Sequence, residues 1–218
     1  MDRSEIFERV ELLEKLGALI RRGAKAHGLI TAVWGAAVLA GFSIFQAVEL
    51  VGLPWYYGVA SLSASLGAAG ALTGYLESRG RGAGYAGRGW LGRRLRAAWA
   101  MVVLGGGVAY MLVFWSPKVS QAIFSALHPE EVSGLILTGW LIIDGVGCVV
   151  QGAILESKAY QCVGLSMCGA AILVAYVGFV YAWAAFALTL GLGYLLVGLR
   201  DYFEFKRSKA EGVEVGGS

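Results

Sequence analysis

Between Ala159 and Leu199 the chain runs for 41 residues without one Asp, Glu, Lys or Arg. As a single helix this stretch would be ~61 Å long at 1.5 Å per residue, twice the ~30 Å apolar thickness of a bilayer. It must fold back on itself, and Gly178–Tyr181 supplies the turn. Gly28–Val48, Leu50–Leu76 and Ala97–Trp115 are also free of charge, and Ser133–Leu155 is interrupted only by Asp144. Each is long enough to span. The expected fold is an all-α integral membrane protein of six transmembrane helices.

Composition agrees. Hydrophobic residues make up 57% of the 218 and charged ones 15%, where a soluble domain carries about a quarter. Gly is abundant at 33 and Pro scarce at 3, which suits straight helices approaching closely through small residues. Cys148, Cys162 and Cys168 lie inside apolar runs without CxxC spacing, so neither a disulfide framework nor a zinc site is expected. The first 26 residues carry charge throughout and lack the short apolar core of a cleavable signal.

Charge sidedness sets the orientation. With six spans, Lys and Arg number six before span one, six between spans two and three, one (Lys158) between four and five, and four after span six. Only Lys118 falls on the other side. Arg and Lys beside span ends resist translocation, which predicts both termini in the cytoplasm and a multi-pass location in the cell (cytoplasmic) membrane. Residues 1–26 read as an amphipathic helix, with Ile6, Val10, Leu13 and Ile20 on one face and Glu8, Glu11, Lys15 and Arg22 opposite. Residues 27–200 form the transmembrane domain and 201–218 a charged tail. Ser116-Pro117 opens a short helix between spans three and four.

Span ends repeat faintly: Gly74-Tyr75-Leu76-Glu77-Ser78-Arg79, Gly152-Ala153-Ile154-Leu155-Glu156-Ser157-Lys158, and Gly198-Leu199-Arg200-Asp201. Three tandem helical hairpins are the preferred organisation, with an inverted 3+3 repeat as the alternative. Gly-containing ends such as Gly193-Tyr194-Leu195-Leu196-Val197-Gly198-Leu199 resemble those of small six-helix bacterial membrane proteins associated with acid resistance. The resemblance covers topology and implies no activity.

Asp144 is the sharpest chemical feature. Twelve uncharged residues precede it back to Glu131 and eleven follow before Glu156, which puts it in mid-span. A central carboxylate costs about 2.5–3.5 kcal/mol to insert, and the eleven Leu, Ile and Val residues of Leu135–Leu155 return ~0.3–0.6 each. The helix still inserts, so Asp144 must face protein or water or keep its proton. Cys148 and Gln151 share its helical face, forming a polar stripe aimed at the bundle interior. Gln46 and Glu49 form a second polar pair, near the outer end of span one. A solute or proton path would draw on Asp144, Cys148, Gln151, Gln46 and Glu49; the competing reading makes Asp144 a packing residue and Glu49 an outer-rim charge.

Ser63, Gly67, Gly70 and Gly74 form a small-residue stripe on span two, expected to serve helix packing. Gly105-Gly106-Gly107 marks a hinge or tight crossing in span three. Arg79, Arg81, Arg88, Arg93, Arg94 and Arg96 surround a literal GxGxxG, Gly82 to Gly87. That fingerprint needs a strand before it and a helix after it, and here it sits between two membrane helices. Anionic lipid headgroups are the natural counter-charge for these arginines, so no nucleic acid is expected. His27 and His128 stand a membrane apart, and no HExxH, nucleophile elbow or Walker loop occurs, so no metal, no cofactor and no catalysis are expected. Two functions remain: translocation or binding of a small solute, proton or cation past Asp144, or a non-catalytic scaffold or accessory subunit that engages membrane partners or copies of itself.

Overall fold

The computed structural model describes residues 27–80 and 97–210, together with the single residues Glu11 and Arg94. The rest of the 1–26 amphipathic segment, and Arg81, Arg88, Arg93 and Arg96, lie outside the described residues. Among those described, six helices are long and apolar enough to cross a bilayer. They are α1 (Gly28–Val51), α2 (Trp55–Gly80), α3 (Ala97–Phe114), α5 (Pro129–Ile154), α6 (Lys158–Val177) and α7 (Phe179–Arg207). A short helix, α4 (Pro117–Ala126), joins α3 to α5. The chain is a multi-pass membrane protein.

Local chemistry sets the breaks. Gly52 closes α1 in the left-handed region at φ 73°, and the Leu53 N–H returns to the Val48 carbonyl. Ser116 is extended and Pro117 takes the first turn of α4, where its missing N–H costs nothing. The Glu131 carboxylate accepts the His128 N–H at 3.1 Å and fixes the start of α5. The 41-residue charge-free run turns at Gly178, whose φ of 135° few other residues adopt, and Phe179–Tyr181 follow as a 3₁₀ turn. Beyond Leu199 the last helix continues through Ala210, so the segment read as a tail begins as an extension of α7.

The closest packing joins α1 to α2, α1 to α7 and α5 to α6. The α1–α2 pair is the first of the expected hairpins, whereas the α1–α7 and α5–α6 pairs join helices of different hairpins. Glycine makes two of the contacts possible. A Cβ on Gly35 would meet the backbone of Leu195, and one on Gly198 the backbone of Ala32, so α1 and α7 touch main chain to main chain. Gly145 and Gly164 do the same for α5 and α6. Of the glycine triplet only Gly107 serves a tight crossing, against the Trp140 ring, while a Cβ at Gly105 would meet nothing within 4 Å; the triplet lies inside a stretch of α3 wound as a π-helix over Met101–Gly107. A second π stretch, Ala187–Gly191, lies in α7.

The small-residue stripe of α2 behaves differently. Nothing stands within 4 Å of a Cβ at Gly67, Gly70 or Gly74, and Ser63 is exposed. Among the described residues, no helix packs on that face. The α1 side of α2 is instead lined by Gly58, Leu62, Ser65, Ala69 and Thr73.

Candidate functional site

The buried heart of the bundle lies between α1, α5, α6 and α7, and α5 carries its polar stripe. Leu141 and Cys148, one turn to either side of Asp144, are 0% exposed. Asp144 itself is only partly buried, and among the described residues no side chain hydrogen-bonds it or pairs with its charge. Its carboxyl lies within electrostatic reach of Cys148 and Tyr194. A carboxyl that pairs with nothing in mid-membrane has capacity left for a ligand.

Next to it is a knot of polar groups. Gln151 Oε1 accepts from the Tyr194 hydroxyl at 2.8 Å and from the Trp99 indole N–H at 3.0 Å. With its hydrogen committed to Gln151, the Tyr194 oxygen offers its lone pairs to the Cys148 thiol at 3.2 Å. Met167 Sδ completes the thiol's surroundings at 4.0 Å. The Tyr160 ring meets Tyr194 edge-on at 5.8 Å and 83°, and its hydroxyl donates to Thr31 Oγ1 at 3.2 Å. Further along α7, Asp201 is buried and accepts from Arg200 Nη2 at 2.7 Å and Nε at 3.2 Å. Asp144, Cys148 and Gln151 thus do share a face, and that face meets α3, α6 and α7.

Gln46 and Glu49 stand elsewhere. Gln46 is 7% exposed, and its Oε1 accepts the Ala184 N–H at 2.9 Å. Glu49 Oε1 accepts the Ser133 hydroxyl at 3.2 Å. The Trp183 indole faces the same carboxylate without closing a hydrogen bond, so Gln46 Nε2, Glu49 Oε2 and Trp183 Nε1 are buried and unpartnered. Trp183 is held there by stacking on Phe45 at 3.7 Å. Ser133 and Asp144 lie eleven residues apart on α5, ~16 Å along the axis. Phe42, Leu137, Leu141 and Phe186 form the apolar core between the two clusters. The five residues assigned to one path therefore fall into two groups, separated by an apolar plug.

Trp99, Tyr160, Tyr194, Thr31 and Asp201 were not singled out from sequence. Tyr160 and Tyr194 carried a readable signal, since both lie within apolar runs, where a phenol hydroxyl needs a partner. Asp201 gave none, because it directly follows Arg200 and looks like an ordinary charged end.

A cleft of about 270 Å³ opens between α6 and α7, lined by Ala170, Leu173, Val177, Tyr181, Ala184 and Leu188 among others. It is apolar and separate from Asp144. Among the described residues no group of His, Cys, Asp and Glu is arranged to hold a metal. Arg79, at the end of α2, lies over the Tyr75 ring at 4.9 Å. No protein-family model, curated protein or solved structure matches this chain.

Proposed function

We propose that this multi-pass membrane protein binds and passes a proton, small cation or small polar solute, with Asp144 as the binding group. The observation that carries the reading is the mid-span carboxyl without a partner, beside a knot in which Gln151 Oε1, the Trp99 indole, the Tyr194 hydroxyl and the Cys148 thiol are all paired. A residue kept only to join helices would be drawn into that network, since an unpaired polar group in low dielectric costs about 1–3 kcal/mol. Cys148 and Gln151 then shape the Asp144 site, while the apolar plug keeps the Gln46–Glu49 cluster apart from it in this conformation. Translocation requires the plug to move.

The Lys and Arg distribution supports a cytoplasmic location for both termini and for the Arg79–Arg96 loop, in the cell membrane, with anionic headgroups as counter-charge. The test of function is flux. Purified protein in liposomes carrying a pH gradient is expected to dissipate it, and Asp144→Asn to abolish this while leaving unfolding unchanged. Equal flux for both proteins, above that of empty liposomes, would remove Asp144 from the path.

One observation favours the second reading, an accessory or scaffold protein. Among the described residues, the Ser63–Gly74 face of α2 meets no other helix. A face of small residues is suited to close helix approach, so a partner or a second copy would fit there. Crosslinking through Gly70→Cys in native membranes, with no flux at all, would select this reading.

A further inference from the structure

We infer that Gln46, Glu49 and Trp183 form a second polar site, which takes one hydroxyl group: that of a bound water or of a small neutral solute. The site lies across the apolar core from Asp144, and it stands whether or not Asp144 binds anything.

The contacts that bring these side chains together leave one polar atom of each over. Gln46 and Glu49 are three residues apart on α1 and so share a face. Trp183 is clamped against that stretch of α1. Its ring stacks on Phe45 at 3.7 Å and 9° from parallel, and the next residue, Ala184, donates its N–H to Gln46 Oε1 at 2.9 Å. That bond also fixes the amide's orientation, because only the carbonyl oxygen of Gln46 can accept an N–H. The atom left over is therefore Nε2, a donor. Ser133 donates to Glu49 Oε1 at 3.2 Å, which leaves Oε2 over. Gln46 Nε2, Trp183 Nε1 and Glu49 Oε2 are all buried without a partner, and Gln46 as a whole is only 7% exposed.

Two donors and one acceptor select the ligand. An oxygen that accepts both N–H hydrogens and gives its own hydrogen to the carboxylate satisfies all three atoms at once. Hydroxyl is the smallest group that does so. A buried water makes about three hydrogen bonds, which matches the three groups on offer. A metal cation is a poor fit, since it needs about six oxygens and would face two N–H hydrogens. Both other oxygens, Gln46 Oε1 and Glu49 Oε1, already accept hydrogens. An anion is repelled by the carboxylate. The Trp183 indole lies beside Glu49 without closing a bond, and closing it would by itself leave Gln46 Nε2 unserved.

The test is NMR of the full-length protein in lipid nanodiscs, labelled with ¹⁵N at Trp, with the Trp183 indole signal identified by its loss in Trp183→Phe. In rotating-frame spectra a hydrogen held close to the indole N–H gives a cross-peak opposite in sign to one from chemical exchange. The wild-type Trp183 N–H is expected to show such a peak at the water frequency. Methanol is the probe for a solute hydroxyl. Replacement of the water peak by one to the methanol methyl group assigns the site to a solute, and persistence of the water peak assigns it to a bound water. Ser133→Ala is expected to keep the peak and Gln46→Leu to lose it. A wild-type indole with no cross-peak to either molecule would overturn the site, leaving a direct bond to Glu49 in its place. So would a peak that vanishes in Ser133→Ala, which would belong to the Ser133 hydroxyl, or one that survives unchanged in folded Gln46→Leu.

Discussion

The Tyr194 hydroxyl of α7 and the Gln151 side chain of α5 are joined by a 2.8 Å hydrogen bond, onto an oxygen that also receives the Trp99 indole of α3 at 3.0 Å. One acceptor atom therefore ties three spans together near the end of the bundle that carries Arg200. Removing the acceptor strands two donors, whereas removing one donor leaves the other bond intact. Gln151→Leu is accordingly expected to destabilise the fold by about 1–3 kcal/mol, and Tyr194→Phe by ~0.6 kcal/mol. Unfolding in mixed micelles against a denaturing detergent measures both.

Glycines of one residue type but different surroundings should separate cleanly. Gly35→Ala and Gly198→Ala place a methyl against backbone that cannot yield, at a cost of about 1–3 kcal/mol each. Gly67→Ala, Gly70→Ala and Gly74→Ala meet open space and should change monomer stability by no more than ~1 kcal/mol, in the favourable direction that helix propensity gives. The same unfolding assay at low protein-to-lipid ratio reads the contrast.

Gly178 holds the turn between α6 and α7 at φ 135°. Gly178→Ala has all the space it needs, since nothing stands within 4 Å, yet it is strained by backbone conformation alone. A loss of about 1–3 kcal/mol is expected. Gly169→Ala on the same helix α6, equally open but at ordinary φ, is the control and should show none of that loss.

Much of this molecule could be read along the chain because a membrane constrains one dimension strongly. Apolar length sets the number of crossings, and it located the turn at Gly178–Tyr181 and the helix start at Ser116-Pro117 from local chemistry alone. The Asp144, Cys148 and Gln151 stripe follows from helical period within one segment. What stayed hidden depends on which helix lies beside which. Spacing on α2 marks Gly67, Gly70 and Gly74 as packing residues, but it cannot say that α1 would take the opposite face. Gln46 and Glu49 resemble Asp144 chemically, and only the interposed rings of Phe42 and Phe186 separate them. Tyr194 became a site residue through its distance to Gln151, a relation between residues 43 positions apart.

Sidedness follows from the arginines and is open to labelling. Single cysteines at Arg88 and at Lys206, in a background lacking the native thiols, are expected to resist a membrane-impermeant maleimide in intact cells and to react after lysis. A cysteine at Lys118 should react in intact cells. The reverse pattern would invert the bundle.

The central claim is that Asp144 is a ligand-facing group reached from an aqueous end, and its solvent access tests this most directly. Asp144→Cys, with Cys162 and Cys168 replaced by Ser and the sealed Cys148 kept as the unreactive baseline, should be modified by a small impermeant thiosulfonate cation. The account predicts labelling from the face that carries Lys158 and Arg200 and none from the Glu49 face. A folded protein unlabelled from either face would make residue 144 a sealed packing position and contradict the account.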